Sequence, residues 1–269
     1  MTIKRIPYFV SAALVLWASA GCHRGPRQPG TKTPVQIAPP PVNSVSELVQ
    51  AMRERYEGKW YKSLSFTQIN RYTIGGKEQK SEWVENLSVP GKLRIDFLPL
   101  SQKSGVLIDN SRVRTFASGR QIDSRRLYQT RPFLVSDVYV LPVTVTMRRL
   151  DSLGVDTTRI RVQRQEGKRY FVVGASTGDM TSTQVWFDAA TLLLSRFVQT
   201  EDRAGKKVTS DMKVTGYADI AGFPVPEAFV TSREGVTTLR EEYANVKVNT
   251  PMPAALFDPA KFATVKVSQ

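Results

Sequence analysis

The chain has 269 residues and is strongly basic, because 38 lysine and arginine residues against 24 aspartate and glutamate residues give a formal net charge of +14 at pH 7. It contains one cysteine, Cys22, and one histidine, His23. A single cysteine excludes an internal disulfide, and a single histidine at this position excludes Ser-His-Asp, Cys-His and histidine-ligated zinc sites from the rest of the chain. Most hydrolase mechanisms are therefore excluded, and the positive charge favours anionic partners.

Residues 1–21 have the layout of a secretory signal peptide. A positively charged start is followed by an uncharged run over residues 6–20 and by small residues just before Cys22. This run is shorter than the roughly 20 apolar residues that a membrane-spanning helix needs. The ending resembles the lipobox of bacterial lipoproteins, in which the cysteine is lipidated and becomes the first residue of the mature chain, although Ser19 stands where the motif usually has leucine. The alternative is an ordinary cleaved signal peptide with an incidental cysteine.

The residue after the cysteine bears on the location of the protein. His23 stands where aspartate is the inner-membrane retention signal of enteric lipoproteins, so by that rule the anchor favours the outer membrane. We therefore expect a lipid-anchored protein of the cell envelope that faces the periplasm. The polyanions of that compartment are lipid headgroups and cell-wall polymers rather than nucleic acid, so an anionic membrane surface is an expected partner.

Residues 22–43 are predicted to form a tether between the anchor and the folded part. They contain six prolines, three of them consecutive at 39–41, and no acidic residue. Such a segment cannot bury enough apolar surface to order itself, and an extended polyproline conformation at about 3.1 Å per residue gives it a reach of roughly 60 Å. Residues 44–269 are enough for one domain with a sizeable core.

This domain is predicted to open with one amphipathic helix and to continue as strands. Ser44 and Glu47 have the spacing of a capping box, and Gly58 ends the helix. The apolar stripe of the helix, which we expect to pack on a sheet, consists of Val45, Leu48, Val49, Met52 and Tyr56.

After the helix the hydrophobic period changes from 3.6 to 2, which predicts strands joined by tight turns. Residues 126–154 break the pattern, and their prolines limit them to short helices that we expect to cap one opening of the sheet. The predicted strands cover residues 60–73, 79–89, 91–98, 104–110, 112–117, 158–165, 168–174, 181–188, 192–201, 206–217, 223–231 and 236–249. A sheet of eleven or twelve antiparallel strands curls, and its concave face must be filled or covered.

Several segments resemble the periplasmic lipoprotein carrier superfamily, including its lipoprotein-sorting branch. The resemblance extends over residues 45–258 and rests on residues 47–68, 89–97, 108–110, 185–188, 222–226 and 257–259. It implies a mainly β (α+β) fold, a curved antiparallel half-barrel of about eleven strands with helices covering the concave face. It also implies a membrane-anchored periplasmic lipoprotein that binds acyl chains of lipoproteins or lipids in an apolar cavity, for sorting or transport to the outer membrane, with a soluble carrier protein as a candidate partner.

Under this resemblance, apolar side chains of the strands are candidates for the lining of a lipid cavity, and ordinary core packing is the alternative for each of them. The candidates are Phe66, Trp83, Leu93, Ile95, Phe97, Val106, Ile108 and Trp186.

Two other classes of function stay open. A non-catalytic envelope-stress or structural binding module would use the same fold without carrying cargo. An enzyme would have to rely on carboxylates alone, because His23 is the only histidine of the sequence. Residues 174–178 match the G-x-S-x-G nucleophile elbow, but they lack both a following helix and a histidine partner. The sequence contains no cofactor motif and no metal-ligand cluster, so we expect a protein that is not an enzyme and holds neither a cofactor nor a metal.

Replacing Cys22 by alanine should give a soluble or unprocessed protein that no longer fractionates with membranes. Cys22 is the only residue placed for lipidation, and two or more acyl chains hold a protein firmly where one chain anchors it marginally. Cell fractionation measures this, with Ser19→Leu as a control that completes the lipobox and should stay membrane-bound. Unchanged membrane fractionation of Cys22→Ala would contradict the lipoprotein hypothesis.

Overall fold

The computed structural model describes residues 41–127 and 129–267. The predicted signal peptide, Cys22 and most of the predicted tether lie outside these residues. The described part opens with helix α1 (Val45–Tyr56), whose N-terminus is capped by the Ser44 hydroxyl, which accepts a hydrogen bond from the backbone N–H of Glu47 at 3.1 Å. The predicted helix is therefore confirmed, and four residues of its stripe are buried: Val45, Leu48, Val49 and Met52.

Thirteen antiparallel strands follow and form one sheet. They are β1 (Ser63–Ile74), β2 (Lys77–Ser88), β3 (Lys92–Phe97), β4 (Gly105–Asp109), β5 (Arg112–Ala117), β6 (Arg120–Arg126), β7 (Ile160–Gln165), β8 (Lys168–Val173), β9 (Gln184–Asp188), β10 (Leu194–Arg203), β11 (Lys206–Ile220), β12 (Phe223–Arg233) and β13 (Val236–Val248). Their order across the sheet is β6-β5-β4-β3-β2-β1-β13-β12-β11-β10-β9-β8-β7. The first and last strands therefore pair in the middle of the sheet, and β6 and β7 form its two edges.

Strand β6 is the one that the sequence did not predict. All of its residues are exposed, so it lacks the alternation of apolar and polar residues by which the other twelve strands were recognised. The helical stretch consequently begins at Thr130, a few residues later than expected. The predicted class of fold, a large antiparallel sheet with few helices, is confirmed.

The connection from β6 to β7 joins the two open edges and covers the concave face of the sheet. It contains helix α2 (Thr130–Val135), a 3-10 turn (Asp137–Tyr139) and helix α3 (Val143–Ser152). Buried residues of this connection, among them Phe133 and Leu150, belong to the same hydrophobic cluster as α1 and the inward side chains of the strands. The expectation of short helices over one opening of the sheet is therefore confirmed.

Aromatic side chains fix the 3-10 turn in place. The Tyr139 ring stacks on Trp60 with 4.1 Å between ring centroids, and its hydroxyl oxygen accepts a hydrogen bond from the backbone N–H of Leu194 on β10 at 2.9 Å. The hydroxyls of Tyr61 and Ser136 are hydrogen-bonded to each other at 2.8 Å. These contacts tie the connection to both halves of the sheet.

The opposite face of β3–β5 is covered by the C-terminal segment, which forms two 3-10 turns (Ala254–Phe257 and Pro259–Lys261). Arg94 of β3 is only 2% exposed beneath this segment. Its guanidinium donates two hydrogen bonds of 2.8 Å to Asp96, donates further bonds to the carbonyl oxygens of Leu256 and Phe262, and lies 4.2 Å from the centroid of the Phe262 ring. The buried ion pair thus holds the end of the described chain on the sheet.

Replacing Arg94 by methionine should lower the free energy of unfolding by about 3–5 kcal/mol, because it leaves the Asp96 carboxylate buried without a partner. The double variant Arg94→Met/Asp96→Leu should recover part of that loss, which urea unfolding would measure. Arg240→Met is the matched control, since its ion pair with Glu242 is exposed and should contribute about 0–1 kcal/mol. Equal losses at positions 94 and 240 would show that the buried pair is unimportant.

Candidate functional site

A cavity of about 870 Å³ lies between the concave face of the sheet and the segment that carries α2. Its volume is within the range of small-molecule binding sites in proteins. The apolar part of its wall comes from β1–β3, α2 and its neighbouring loop, and β13: Leu64, Phe66, Trp83, Leu87, Leu93, Ile95, Leu127, Pro132, Val135, Leu153 and Leu239. The fold therefore leaves an accessible apolar space beneath its helical cover.

Four of the eight predicted lining residues face this cavity, namely Phe66, Trp83, Leu93 and Ile95. Three others lie on the same side of the sheet. Phe97 contacts the Trp83 ring with 5.5 Å between centroids, Val106 is the partner of Ile95 across the β3–β4 ladder, and Ile108 lines a small neighbouring cavity beside Leu93. Whether any of these seven side chains contacts lipid remains a prediction.

Trp186 does not line the cavity. Its neighbours Val185 and Phe187 point into the main core, so Trp186 points to the opposite face of the sheet, because successive side chains of a strand alternate. There its ring lies between the guanidinium groups of Arg161 and Arg196, at 5.7 and 5.0 Å from the ring centroid. Sequence reasoning placed it at the site because a tryptophan in an apolar strand does not show which face is covered.

The cavity wall also contains charged side chains, and sequence reasoning did not bring together the three that form its polar centre: Glu85 on β2, Arg131 on α2 and Glu241 on β13. The alternation of each strand was the available signal. The residues two positions before and two positions after each glutamate face the cavity, so the glutamate faces it as well. The pairing of β13 with β1, which brings the two carboxylates to neighbouring parts of one wall, becomes visible only in the folded sheet.

Arg131 connects α2 to the centre of the sheet. Its guanidinium donates a hydrogen bond of 2.5 Å to Oε1 of Glu241, an oxygen that also accepts a hydrogen bond of 2.9 Å from the side-chain amide of Gln68. The other carboxylate oxygen of Glu241 is buried and, among the described residues, has no hydrogen-bond partner. The same holds for Nε of Arg131 and Oε1 of Gln68. The cavity thus combines apolar walls with an incompletely satisfied polar centre.

Burial raises the pKa of Glu85 to about 8, although the nearby Arg131 guanidinium opposes this rise and the Glu241 carboxylate adds to it. Glu85 is therefore protonated at neutral pH, when it can donate a hydrogen bond. Burial also holds the pKa of the Tyr243 hydroxyl, on the same wall, well above its usual range. Arg131 and Glu241 form an ion pair at this centre.

The described residues also bear on metal binding and on membrane spans. In residues 41–127 and 129–267, no group of three or more cysteine, histidine, aspartate or glutamate side chains is placed to hold a metal ion. Within these same ranges, no helix has both the length and the apolar character that crossing a membrane requires.

Several solved bacterial structures are similar in fold to this chain. A domain described as an outer membrane lipoprotein-sorting protein from Vibrio parahaemolyticus aligns with 81% of this chain and 97% of its own length, with a TM-score of 0.56 and 10% identity. A LolA superfamily protein from Nitrosomonas europaea aligns over 78% and 97%, with a TM-score of 0.52 and 11% identity. A DUF1329 family protein from Desulfovibrio piger aligns over 79% and 95%, with a TM-score of 0.53 and 13% identity.

No family model matches the sequence, and no curated protein matches it either. The structural likeness defines the class of fold, a half-barrel of antiparallel strands whose concave face is covered by helices. More particularly, the chain is similar in fold to a solved lipoprotein-sorting domain and to a solved LolA superfamily protein, which is the kind of fold that the resemblance in its sequence implied.

Replacing Glu85 by glutamine should make the protein more stable at alkaline pH. Because the pKa of Glu85 rises from 4.5 to about 8 on folding, the unfolded chain loses this proton at lower pH than the folded one. The contribution of Glu85 to stability is therefore fully present below pH 4.5 and is lost as the pH rises toward 8. Glu85→Gln should remove this loss and gain on the order of 4 kcal/mol at pH 8 relative to the native chain, with little difference near pH 4.5.

Urea unfolding at a series of pH values measures this difference. Glu242→Gln is the matched control, because it removes a neighbouring carboxylate from the other face of β13, where Glu242 forms an exposed ion pair with Arg240. A stability gain at pH 8 that is no larger for Glu85→Gln than for Glu242→Gln would overturn the assignment of a protonated Glu85.

Proposed function

We propose that this protein is a lipid-anchored, non-catalytic lipoprotein of the cell envelope that binds acyl chains of lipoproteins or lipids. The observation that carries the proposal is the apolar cavity of about 870 Å³ beneath the helical cover of a LolA-type sheet. Several wall residues, among them Trp83, Ile95 and Leu239, are only partly buried, so apolar surface is available to a ligand.

Enclosure of an acyl chain by such a wall is favourable by about 0.8 kcal/mol for each buried methylene group. Most of this gain is offset when the chain leaves a membrane or another apolar cavity, because it is already out of water there. The small net difference suits a protein that takes up and releases its cargo, since tight net binding would prevent transfer. We propose that transfer serves lipoprotein sorting or transport to the outer membrane, with a soluble carrier protein as partner.

The remaining parts of the proposal concern location. Lipidation at Cys22 would anchor the chain, and residues 22–43 would give the cavity a reach of roughly 60 Å from the anchor. The anionic lipid headgroups of the membrane would be a partner of the basic chain. An envelope role is supported by the similarity to a domain described as an outer membrane lipoprotein-sorting protein. Purification in mild detergent followed by mass spectrometry would identify the lipids that accompany the protein, and their complete absence would count against the proposal.

Ile95→Asp should leave the protein folded but strongly reduce its uptake of a fluorescent lipopeptide. Ile95 is partly buried and faces the cavity, so water can reach the new carboxylate and the folding penalty should be well below the several kcal/mol of a charge in dry core. An acyl chain that displaced this water would leave the charge unsolvated, and uptake should therefore fall by tenfold or more, as about 1.4 kcal/mol already gives a factor of ten.

Val162→Asp is the matched control, because Val162 lies on edge strand β7, is largely exposed and does not line the cavity. It should take up the lipopeptide as the unchanged chain does, and circular dichroism would verify that both variants are folded. Normal uptake by folded Ile95→Asp would remove β3 from the binding site. Unfolding would assign Ile95 to the packed core.

A further inference from the structure

Edge strand β6 and the adjoining strand β5 carry a concentration of positive charge. Between Arg112 and Arg126 there are five arginines and one acidic residue, Asp123. Arg112 and Arg126 stand directly opposite each other in the β5–β6 ladder. Like charges in this position destabilise a sheet. The fold therefore maintains a charged surface here that it does not need for its own stability.

Little of this charge is neutralised by the protein itself. Arg125 forms an ion pair with Asp123 at 3.7 Å, with both side chains largely exposed. In the part of the chain that the structure describes, Arg120 and Arg126 form no ion pair, and Arg112 donates only a hydrogen bond of 3.3 Å to the Ser124 hydroxyl. These guanidinium groups are consequently available to anionic groups outside the molecule.

Two apolar side chains are exposed among these arginines. Ile122 is 66% exposed and Leu127 is 46% exposed. Ile122 is the extra residue of a β-bulge, since Thr115 pairs with Asp123 and Phe116 pairs with Gln121. Charges and bulges on an edge strand protect it from pairing with another chain. That protection explains the arginines and the bulge, but it does not explain a large exposed isoleucine and leucine beside them.

This surface is continuous with the rim of the cavity, because Arg126 and Leu127 also line the cavity. The other edge of the sheet is also basic, but it differs in the pairing of its arginines and in its distance from the cavity. On and beside β7, Arg159 forms an ion pair with Asp156 at 2.7 Å, and Arg161 stacks on Trp186 and donates a hydrogen bond to the carbonyl oxygen of Ala175. No residue of β7 lines the cavity.

We propose that the basic edge, defined as Arg112, Arg120, Arg125 and Arg126 with Ile122 and Leu127, docks on a bilayer surface that contains anionic phospholipid. Guanidinium groups bind phosphate oxygens in a bidentate manner, and exposed apolar side chains can enter the boundary between headgroups and acyl chains. Docking would hold the mouth of the cavity against the lipid. This contact does not involve the anchor at Cys22. It rests on the proposed function only in that docking would serve the uptake and release of lipid.

The first experiment locates the contact. Cys22 is the only cysteine of the chain, so Cys22→Ser removes the proposed anchor and allows a single new cysteine to be labelled. An environment-sensitive fluorophore at Ile122→Cys should shift to shorter wavelength on vesicles of phosphatidylcholine with phosphatidylglycerol. It should not shift on phosphatidylcholine alone, and high salt should reverse the effect. The same label at Val162→Cys, on the opposite edge, should not respond.

The second experiment measures the charge contribution in the full chain with Cys22→Ser. Each arginine near an anionic surface contributes about fivefold to binding, so Arg112→Gln/Arg120→Gln/Arg125→Gln, none of which lines the cavity, should bind phosphatidylglycerol vesicles about a hundredfold more weakly. The matched control is Arg159→Gln/Arg164→Gln/Arg169→Gln on β7 and β8. Residues 1–40 are common to both variants and contribute equally.

Equal responses of the two labels, or equal losses in the two triple variants, would overturn the proposal. An absence of any response at position 122 would overturn it as well, and would leave an acidic protein as the occupant to be tested. Thermal unfolding verifies that each variant is folded. Uptake of the lipopeptide in detergent-free solution should be unchanged in the triple variant, so failure of membrane docking is distinguishable from failure of the proposed function.

Discussion

The pairing of β1 with β13 is the constraint on which the rest of the structure depends. A simple succession of thirteen hairpin-linked strands would place its first and last members at opposite edges, whereas the register from Leu64 opposite Val248 to Tyr72 opposite Leu239 joins them at the centre. Strands from the middle of the chain, β6 and β7, must then form the edges. The connection between them has to cross the sheet, and it crosses over the concave face. The helical cover is thus a consequence of strand order.

This cover is packed into the main hydrophobic cluster, but it does not fill the whole concave face. Tyr139 bonds to β10 and Arg131 bonds to Glu241 of β13, while the space between these contacts stays open as the cavity. Over β3–β5 the other face is covered by a short C-terminal segment that the buried Arg94 holds in place. The concave face keeps an apolar cavity, because its cover packs on part of that face and leaves the rest open.

The polar centre of the cavity lowers its affinity for acyl chains compared with a cavity that has only apolar walls. A ligand chain that passed close to Arg131 and Glu241 would remove water from an ion pair, and part of its own burial energy would be lost. The raised pKa of Glu85 limits this cost, because a protonated Glu85 adds no further charge beside the Arg131–Glu241 pair. Such a wall moderates the affinity for acyl chains, which is compatible with uptake and release.

The sequence by itself determined the local structure of this protein. The capping residues of α1, the turns between hairpins and the alternation of Leu93, Ile95 and Phe97 each depend on neighbours in the chain, and they led to twelve of the thirteen strands. The resemblance of short motifs to the lipoprotein carrier superfamily predicted the class of fold. Strand β6 was not predicted, because an edge strand that is exposed on both faces has no alternation of apolar and polar residues.

Only the tertiary structure decided which face of each strand is covered and by what. Trp83 and Trp186 have similar settings in the sequence, yet one lines the cavity and the other lies between two arginines on the far face. Glu85, Arg131 and Glu241 come together because β13 returns to β1 and because α2 crosses above both. Alternation along a strand shows that the strand has two different faces. It carries no information about distant parts of the chain, and those distant parts determine which face is covered.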